Sequence, residues 1–161
     1  MIATLQLEHI ERRLSMDEVS DAEWLRTEAG ADDDGQLHIV NSWCYCDSDI
    51  ARYGAAQVRE WIAEDHSRYY SFGHSWGFVD AQAVAVIGVH FRDEKLGTLE
   101  LSSACVGGIE SDAPVDYYDE LTDELIEDLK QQLTEQGLLV PDRVQTPYVG
   151  TVPWLVEHRN L

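Results

Sequence analysis

The stretch that decides the fold is WGFVDAQAVAVIGVHFR, residues 76–92, followed by Asp93-Glu94-Lys95 and then LGTLELSSACV, residues 96–106. The long first run is dense in Val, Ile and Phe, residue types that suit a pleated, half-buried surface. Two such runs joined by a short polar turn predict an antiparallel hairpin. Gly107-Gly108 ends it, as a bulge or as a close approach of two backbones.

Outward from the hairpin, the C-terminal side is helical. Asp112 is placed as an N-cap and Pro114 in a first turn, where its missing N–H would be unpaired in any case. Tyr118, Leu121, Leu125, Leu129 and Leu133 keep one apolar stripe, widened by Ile126. Gly137 is the expected left-handed residue past the helix end, and Pro141 stops continuation. Residues 138–161 hold three of the four prolines and read as an extended tail lying on the body through Tyr148, Trp154 and Leu155.

On the N-terminal side, Ile50–Tyr69 reads as a helix with Tyr53, Gln57, Trp61 and Ile62 near one stripe and Gly54 weakening its first turn. Asp47-Ser48-Asp49 is the turn and cap before it. Gln36–Cys46 reads as a strand whose alternation puts His38, Val40, Ser42, Cys44 and Cys46 on one face. Residues 31–35 form a loop. In the first thirty residues, Leu7, Ile10 and Leu14 fall at helical spacing, and Ser15 with Glu18 and Ser20 with Glu23 match the capping box. The prediction is one α+β domain over 1–161: an antiparallel sheet of about three or more strands with a central hairpin, packed against two to four helices. Its parts are an acidic helical lead (1–35), a strand–helix–hairpin body (36–106), an acidic helix (112–137) and the tail.

A chain of 161 residues with 44% hydrophobic and 26% charged residues has the size and composition of one globular domain. Its charge is the outlier, with 31 Asp and Glu against 11 Lys and Arg for a formal −20. Such a surface repels phosphate, which argues against direct nucleic-acid binding and against attraction to anionic membranes. No apolar run approaches the ~20 residues of a membrane span and no signal-peptide pattern opens the chain, so the reading is cytoplasmic. The acid is segregated: residues 1–50 carry a net −9, 51–100 a net −2, and 101–161 a net −9.

No common catalytic signature is present: no Walker loop, dinucleotide fingerprint, nucleophile elbow or His-Glu-x-x-His helix. Gly107-Gly108 lacks a following lysine, and Glu110 and Asp112 behind it would repel phosphate. Cys44 and Cys46 with His38, His66 or His74 offer zinc's preferred ligand types, but the spacing departs from the usual knuckle. Two cysteines on one strand face are expected to be buried small hydrophobes, and Cys105 a reduced thiol. A Cys–His nucleophile pair lacks a group to depress the thiol pKa. No catalytic residue, metal or cofactor is therefore predicted. Residues 69–78 gather five aromatics and a histidine around two glycines; most of these rings should close the core, with Tyr70 and His74 the best placed for exposure at an interface.

The stretch Phe78–Leu133 resembles a group of small uncharacterised proteins carried by tailed phages and prophages. The residues that carry the resemblance are the hairpin with Leu96-Gly97 in its second strand, the run Gly108-Ile109-Glu110-Ser111-Asp112, and an acidic helix opening with Tyr117 and Tyr118. Members of that group tend to carry an aromatic before the glycine, where this chain has Val106-Gly107. The resemblance implies a phage accessory protein and transfers no catalytic residue.

The acidic helix holds the main functional signal. Between Asp112 and Glu135 lie nine acids and one base, Lys130. Asp119, Asp123 and Glu127 share one row at four-residue steps, and Glu120, Glu124 and Asp128 an adjacent one, with Asp116 in the first turn. At a rise of about 1.5 Å per residue, carboxylates in a row recur every ~6 Å. Two such rows approach the charge density of a phosphate backbone. The partner this implies is a host protein with a basic nucleic-acid-binding groove, blocked by a DNA-like surface. The expected partner-binding residues are Asp116, Asp119, Glu120, Asp123, Glu124, Glu127 and Asp128, with Tyr70 and His74. Two other readings stay open: an assembly module whose acidity serves solubility, and a small enzyme with an unrecognised site.

Overall fold

The computed structural model describes residues 3–150. In chain order its elements are β1 (Thr4–Met16), a 3-10 turn (Glu23–Leu25), β2 (Glu28–Ala31), β3 (Leu37–Asn41), α1 (Asp47–Tyr53), α2 (Ala55–Ser71), β4 (Phe78–Phe91), β5 (Glu94–Ser102), β6 (Val106–Glu110), α3 (Val115–Glu135) and β7 (Tyr148–Val149). The fold is α+β. It divides into two compact units: a sheet unit built, among the described residues, from 3–17 and 78–150, and a second unit of Glu18–Gly77.

The sheet unit is ordered β5-β4-β1-β7, with β6 paired to β4. The pairs are antiparallel except β1 with β7, which is parallel. The predicted hairpin is β4–β5. On one face of β4, Val79, Ala81, Ala83, Ala85 and Ile87 form a core with Leu7, Ile10 and Leu14 of β1 and the stripe Tyr118, Leu125, Ile126, Leu129 and Leu133 of α3. The three alanines leave room for the helix to lie close to the sheet. Each fully buried Leu or Ile of the stripe contributes about 1.5–3 kcal/mol. The helix ends as its sequence predicts: Gly137 has φ +83°, its N–H reaches Thr134 O at 2.9 Å, and Leu138 N–H reaches Leu133 O at 3.0 Å. These are the two bonds of a Schellman cap.

Several expectations need correction. The lead is not helical, because residues 4–16 form a strand. A bulge at Glu8 inserts one residue between Leu7 (opposite Ile87) and His9 (opposite Val86), so inward positions fall at 7, 10, 12 and 14. With Arg12 occupying one of them, the visible apolar residues copy helical spacing. The strand expected over 36–46 stops at Asn41 because Ser42 Oγ accepts the N–H groups of Cys44 at 3.1 Å and Tyr45 at 3.0 Å, turning the chain. Cys44 and Cys46 are consequently exposed rather than buried. Gly107 and Gly108 do not end the hairpin, whose second strand stops at Ser102, but lie within the separate strand β6, and α3 starts at Val115 with Pro114, not Asp112, at its N-cap.

In the second unit, β2 and β3 form a small antiparallel hairpin. Its turn is tied by Asp32, whose Oδ1 accepts Asp34 N–H at 3.0 Å and Gln36 N–H at 2.7 Å. The helix predicted over 50–69 is broken into α1 and α2 at Gly54, whose φ of +88° only glycine adopts without strain. Asp49 accepts the N–H of Cys46 at 2.9 Å, capping α1. Ala22, Leu25, Val58, Ile62 and Trp76 are buried. Trp76 Nε1 donates to Arg68 O at 2.7 Å. Among the described residues no helix is long and apolar enough to cross a membrane.

Candidate functional site

The acidic helix α3 is held on the sheet by its buried stripe and by one cation. Arg12 projects from β1 on the core face, its side chain only 14% exposed. Its guanidinium donates to Thr122 Oγ1 at 2.6 Å, to Asp123 Oδ1 at 2.5 Å and to Thr146 O at 3.2 Å, and lies over the Tyr148 ring. Thr122, fully buried mid-helix, also donates to Tyr118 O at 2.7 Å. The fork geometry of a guanidinium allows this many partners at once, which an ammonium does not. Arg12 and Thr122 had no sequence motif to mark them; the one available sign is a charged residue interrupting the apolar face of β1.

This clamp divides the acids. Asp119 accepts the Tyr148 hydroxyl at 2.5 Å, Asp123 is paired with Arg12, and Glu127 is paired with Lys130 at 2.6 Å. That row is engaged within the protein. Asp116, Glu120, Glu124 and Asp128 lie on the adjacent row, one turn apart, all exposed. None of these four carboxylates makes a hydrogen bond or ion pair with another described residue. Eight acids on α3 against Lys130 and the docked Arg12 leave a surplus of six negative charges. The free row spaces its carboxylates by about 6 Å, against roughly 3.4 Å of axis per phosphate on one DNA strand. It offers an acidic rail, sparser than a phosphate backbone.

Tyr70 is 76% exposed and His74 is exposed, both in the second unit, while Trp76 and Phe78 are buried. Tyr70 lies edge-on to Tyr69, whose hydroxyl donates to Glu23 at 2.7 Å.

Chemistry elsewhere is sparse. Partial desolvation of the sulfur and the Asp65 carboxylate push the Cys44 thiol up, although the residue as a whole is exposed, and its S–H points to Trp24 O at 3.3 Å. Burial, Asp80 and Asp17 push the Cys105 thiol up. Both shifts disfavour thiolate, the nucleophilic form. Asp80 is itself raised by burial and by the Asp17 carboxylate, while Asp17 Oδ2 accepts Gly108 N–H at 2.8 Å. A side chain on Gly107 would meet the carboxylates of Asp80 at 2.6 Å and Asp17 at 3.2 Å, so what crowds this glycine is a pair of side chains and not the second backbone anticipated there. A groove of about 400 Å³ at the C-terminal end of α3 is lined by Leu5, Ile87, Leu133, Leu138 and Leu139 with Gln136 and Gly137, and its lining offers no acid, base or nucleophile. Among the described residues no group of three or more His, Cys, Asp or Glu is placed to hold a metal ion. Comparison of the chain with protein-family models, with curated proteins and with solved structures found no match.

Proposed function

We propose that this is a non-enzymatic, phage-type acidic protein that acts in the cytoplasm by binding and inhibiting a nucleic-acid-handling host protein, such as a restriction, CRISPR or repair factor. The observation that carries the reading is the row Asp116, Glu120, Glu124 and Asp128: exposed, without a cationic partner among the described residues, and on a helix fixed by a buried stripe. Like charges at four-residue steps destabilise a helix by about 0.2–0.5 kcal/mol per pair. The row is therefore retained against its own repulsion, and a cationic groove would relieve it. Because the row is sparser than a phosphate backbone, α3 serves as one rail of a DNA-like surface rather than a copy of the duplex. Tyr70 and His74 supply a second, salt-insensitive contact in this reading, since electrostatic attraction alone governs approach more than residence.

The test is capture from bacterial lysate on immobilised wild-type protein and on a variant carrying Asp116→Asn, Glu120→Gln, Glu124→Gln and Asp128→Asn. The reading requires a nucleic-acid-binding protein retained by wild type, released by duplex DNA and lost with the variant. Equal capture by both proteins, with no competition from DNA or RNA, refutes it and leaves the acidity as a solvated face.

A further inference from the structure

We propose that a pocket beside Trp43, in the second unit, binds the guanidinium of an arginine side chain presented by a partner protein. Trp43 is 84% exposed, an unusual state for the largest side chain, which is highly buried on average. The exposure is built into a fixed turn. Ser42 points inward, sharing a 2.8 Å hydrogen bond with the buried Thr27 and accepting the N–H groups of Cys44 and Tyr45, so the next side chain is projected outward. The pocket that Trp43 edges has a volume of about 120 Å³ and is completed by Glu23, Arg26, Glu28 and Asn41. That volume falls below the roughly 300–1,000 Å³ of a small-molecule site and suits one side-chain head.

The walls stand on regular backbone. Glu23 opens the 3-10 turn whose Leu25 is buried; its N–H donates to Asp21 at 3.1 Å, and its carboxylate accepts the Tyr69 hydroxyl. Glu28 and Asn41 face each other across the β2–β3 pair. The Glu28 carboxylate has no hydrogen-bond or ion-pair partner among the described residues. Arg26 approaches Glu23 only to 3.8 Å, and both side chains are more than half exposed, so this loose pair does not close the pocket.

The lining chemistry selects the ligand. Two carboxylates against one guanidinium give the pocket a net negative charge. An indole face attracts cations through its quadrupole, and a planar guanidinium stacks on it while keeping its N–H fork free. Glu28 can take that fork, and the Asn41 amide oxygen adds an acceptor. An ammonium group lacks the planar stacking, and an anion would face Glu23 and Glu28. All five lining residues lie between positions 23 and 43, so the site owes nothing to α3 and the inference stands or falls apart from the reading of that helix.

The experiment is a titration of the full-length protein, followed through its tryptophan indole N–H resonances, with the peptide acetyl-Gly-Arg-Gly-amide. The citrulline analogue (neutral but nearly isosteric) and the lysine analogue are run alongside. Trp43→Phe assigns the resonance. The expected result is a saturable shift of the Trp43 signal with the arginine peptide, weakened about fivefold or more by Glu28→Gln, the equivalent of losing one exposed cation–π or charged contact. The lysine peptide should bind more weakly, the citrulline peptide should leave the signal unmoved, and the four-site α3 variant should bind as wild type does. An unmoved Trp43 signal, equal affinity in Glu28→Gln, equal response to citrulline or lysine, or loss of binding in the α3 variant would each overturn the assignment.

Discussion

Replacing Arg12 with Ala tests whether one side chain fastens the acidic helix to the sheet. The guanidinium is mostly buried, so its loss removes contacts that water replaces poorly. The bond to buried Thr122 is charge-assisted and worth about 1.5–3 kcal/mol. The pair with Asp123 is worth less, about 0.2–1 kcal/mol, because that carboxylate is 62% exposed and screened. The contact with the Tyr148 ring adds about 0.5–1 kcal/mol. Together these give a destabilisation of about 3 kcal/mol, which lowers the melting temperature by about 6–12 °C in a chain of this size. Arg12→Lys should recover only part of the loss, since an ammonium cannot fork to Thr122, Asp123 and Thr146 together. Urea denaturation followed by circular dichroism reads the change directly. A double-mutant cycle with Asp123→Asn should give a coupling of about 0.2–1 kcal/mol. A loss below about 1 kcal/mol for Arg12→Ala, the size of an ordinary single hydrogen bond, would refute the clamp and return Asp123 to the freely exposed acids.

Further outcomes concern the cap, the carboxylate pair and the thiols. Gly137→Val meets open space but places a β-branched residue at positive φ, so it should cost more than about 1 kcal/mol; an unchanged melting temperature would mean that the helix ends elsewhere. Asp80 has its carboxyl raised by burial and by Asp17, so its charged form destabilises the fold above that raised pKa and the penalty lifts as pH falls through it. Asp80→Asn should therefore raise the melting temperature at pH 7 and lose that advantage in acid; a melting temperature at pH 7 at or below wild type contradicts it. Elemental analysis of the purified protein should find no stoichiometric metal; one zinc per chain would make ligands of Cys44, Cys46 and a histidine.

The parts of the fold written in local periodicity were legible in the sequence. The β4–β5 hairpin follows from two β-rich runs around a polar turn, and the α3 stripe from spacing alone. The parts written in exceptions were not. The Glu8 bulge shifts the inward face of β1 by one residue, and Arg12 hides the remaining alternation, so a strand imitates a helix. Ser42 stops a strand that composition would continue, because one hydroxyl takes two backbone N–H groups. For the acidic helix, spacing identified the rows but not their state. Which row is engaged depends on Arg12, more than a hundred positions away, and on Tyr148 and Thr146 beyond the helix. Tyr70 and His74 were legible as the exposed members of their aromatic segment because each carries a polar group, whereas the phenyl and indole rings of Phe78 and Trp76 beside them suit the core. The tail contact expected through Tyr148 is present, whereas Trp154 and Leu155 lie outside the described residues.

The most direct test of the acidic rail is the salt dependence of affinity for the captured partner, measured for wild type and for the four-site variant of Asp116, Glu120, Glu124 and Asp128. Between about 0.1 M and 1 M salt the Debye length falls from about 10 Å to 3 Å. Wild-type affinity should fall steeply over that range, while the variant should bind weakly at both ends with a nearly flat dependence and a melting temperature at or slightly above that of wild type, its like-charge repulsion having been relieved. A variant that matches wild-type affinity at low salt and follows the same salt slope would contradict the account.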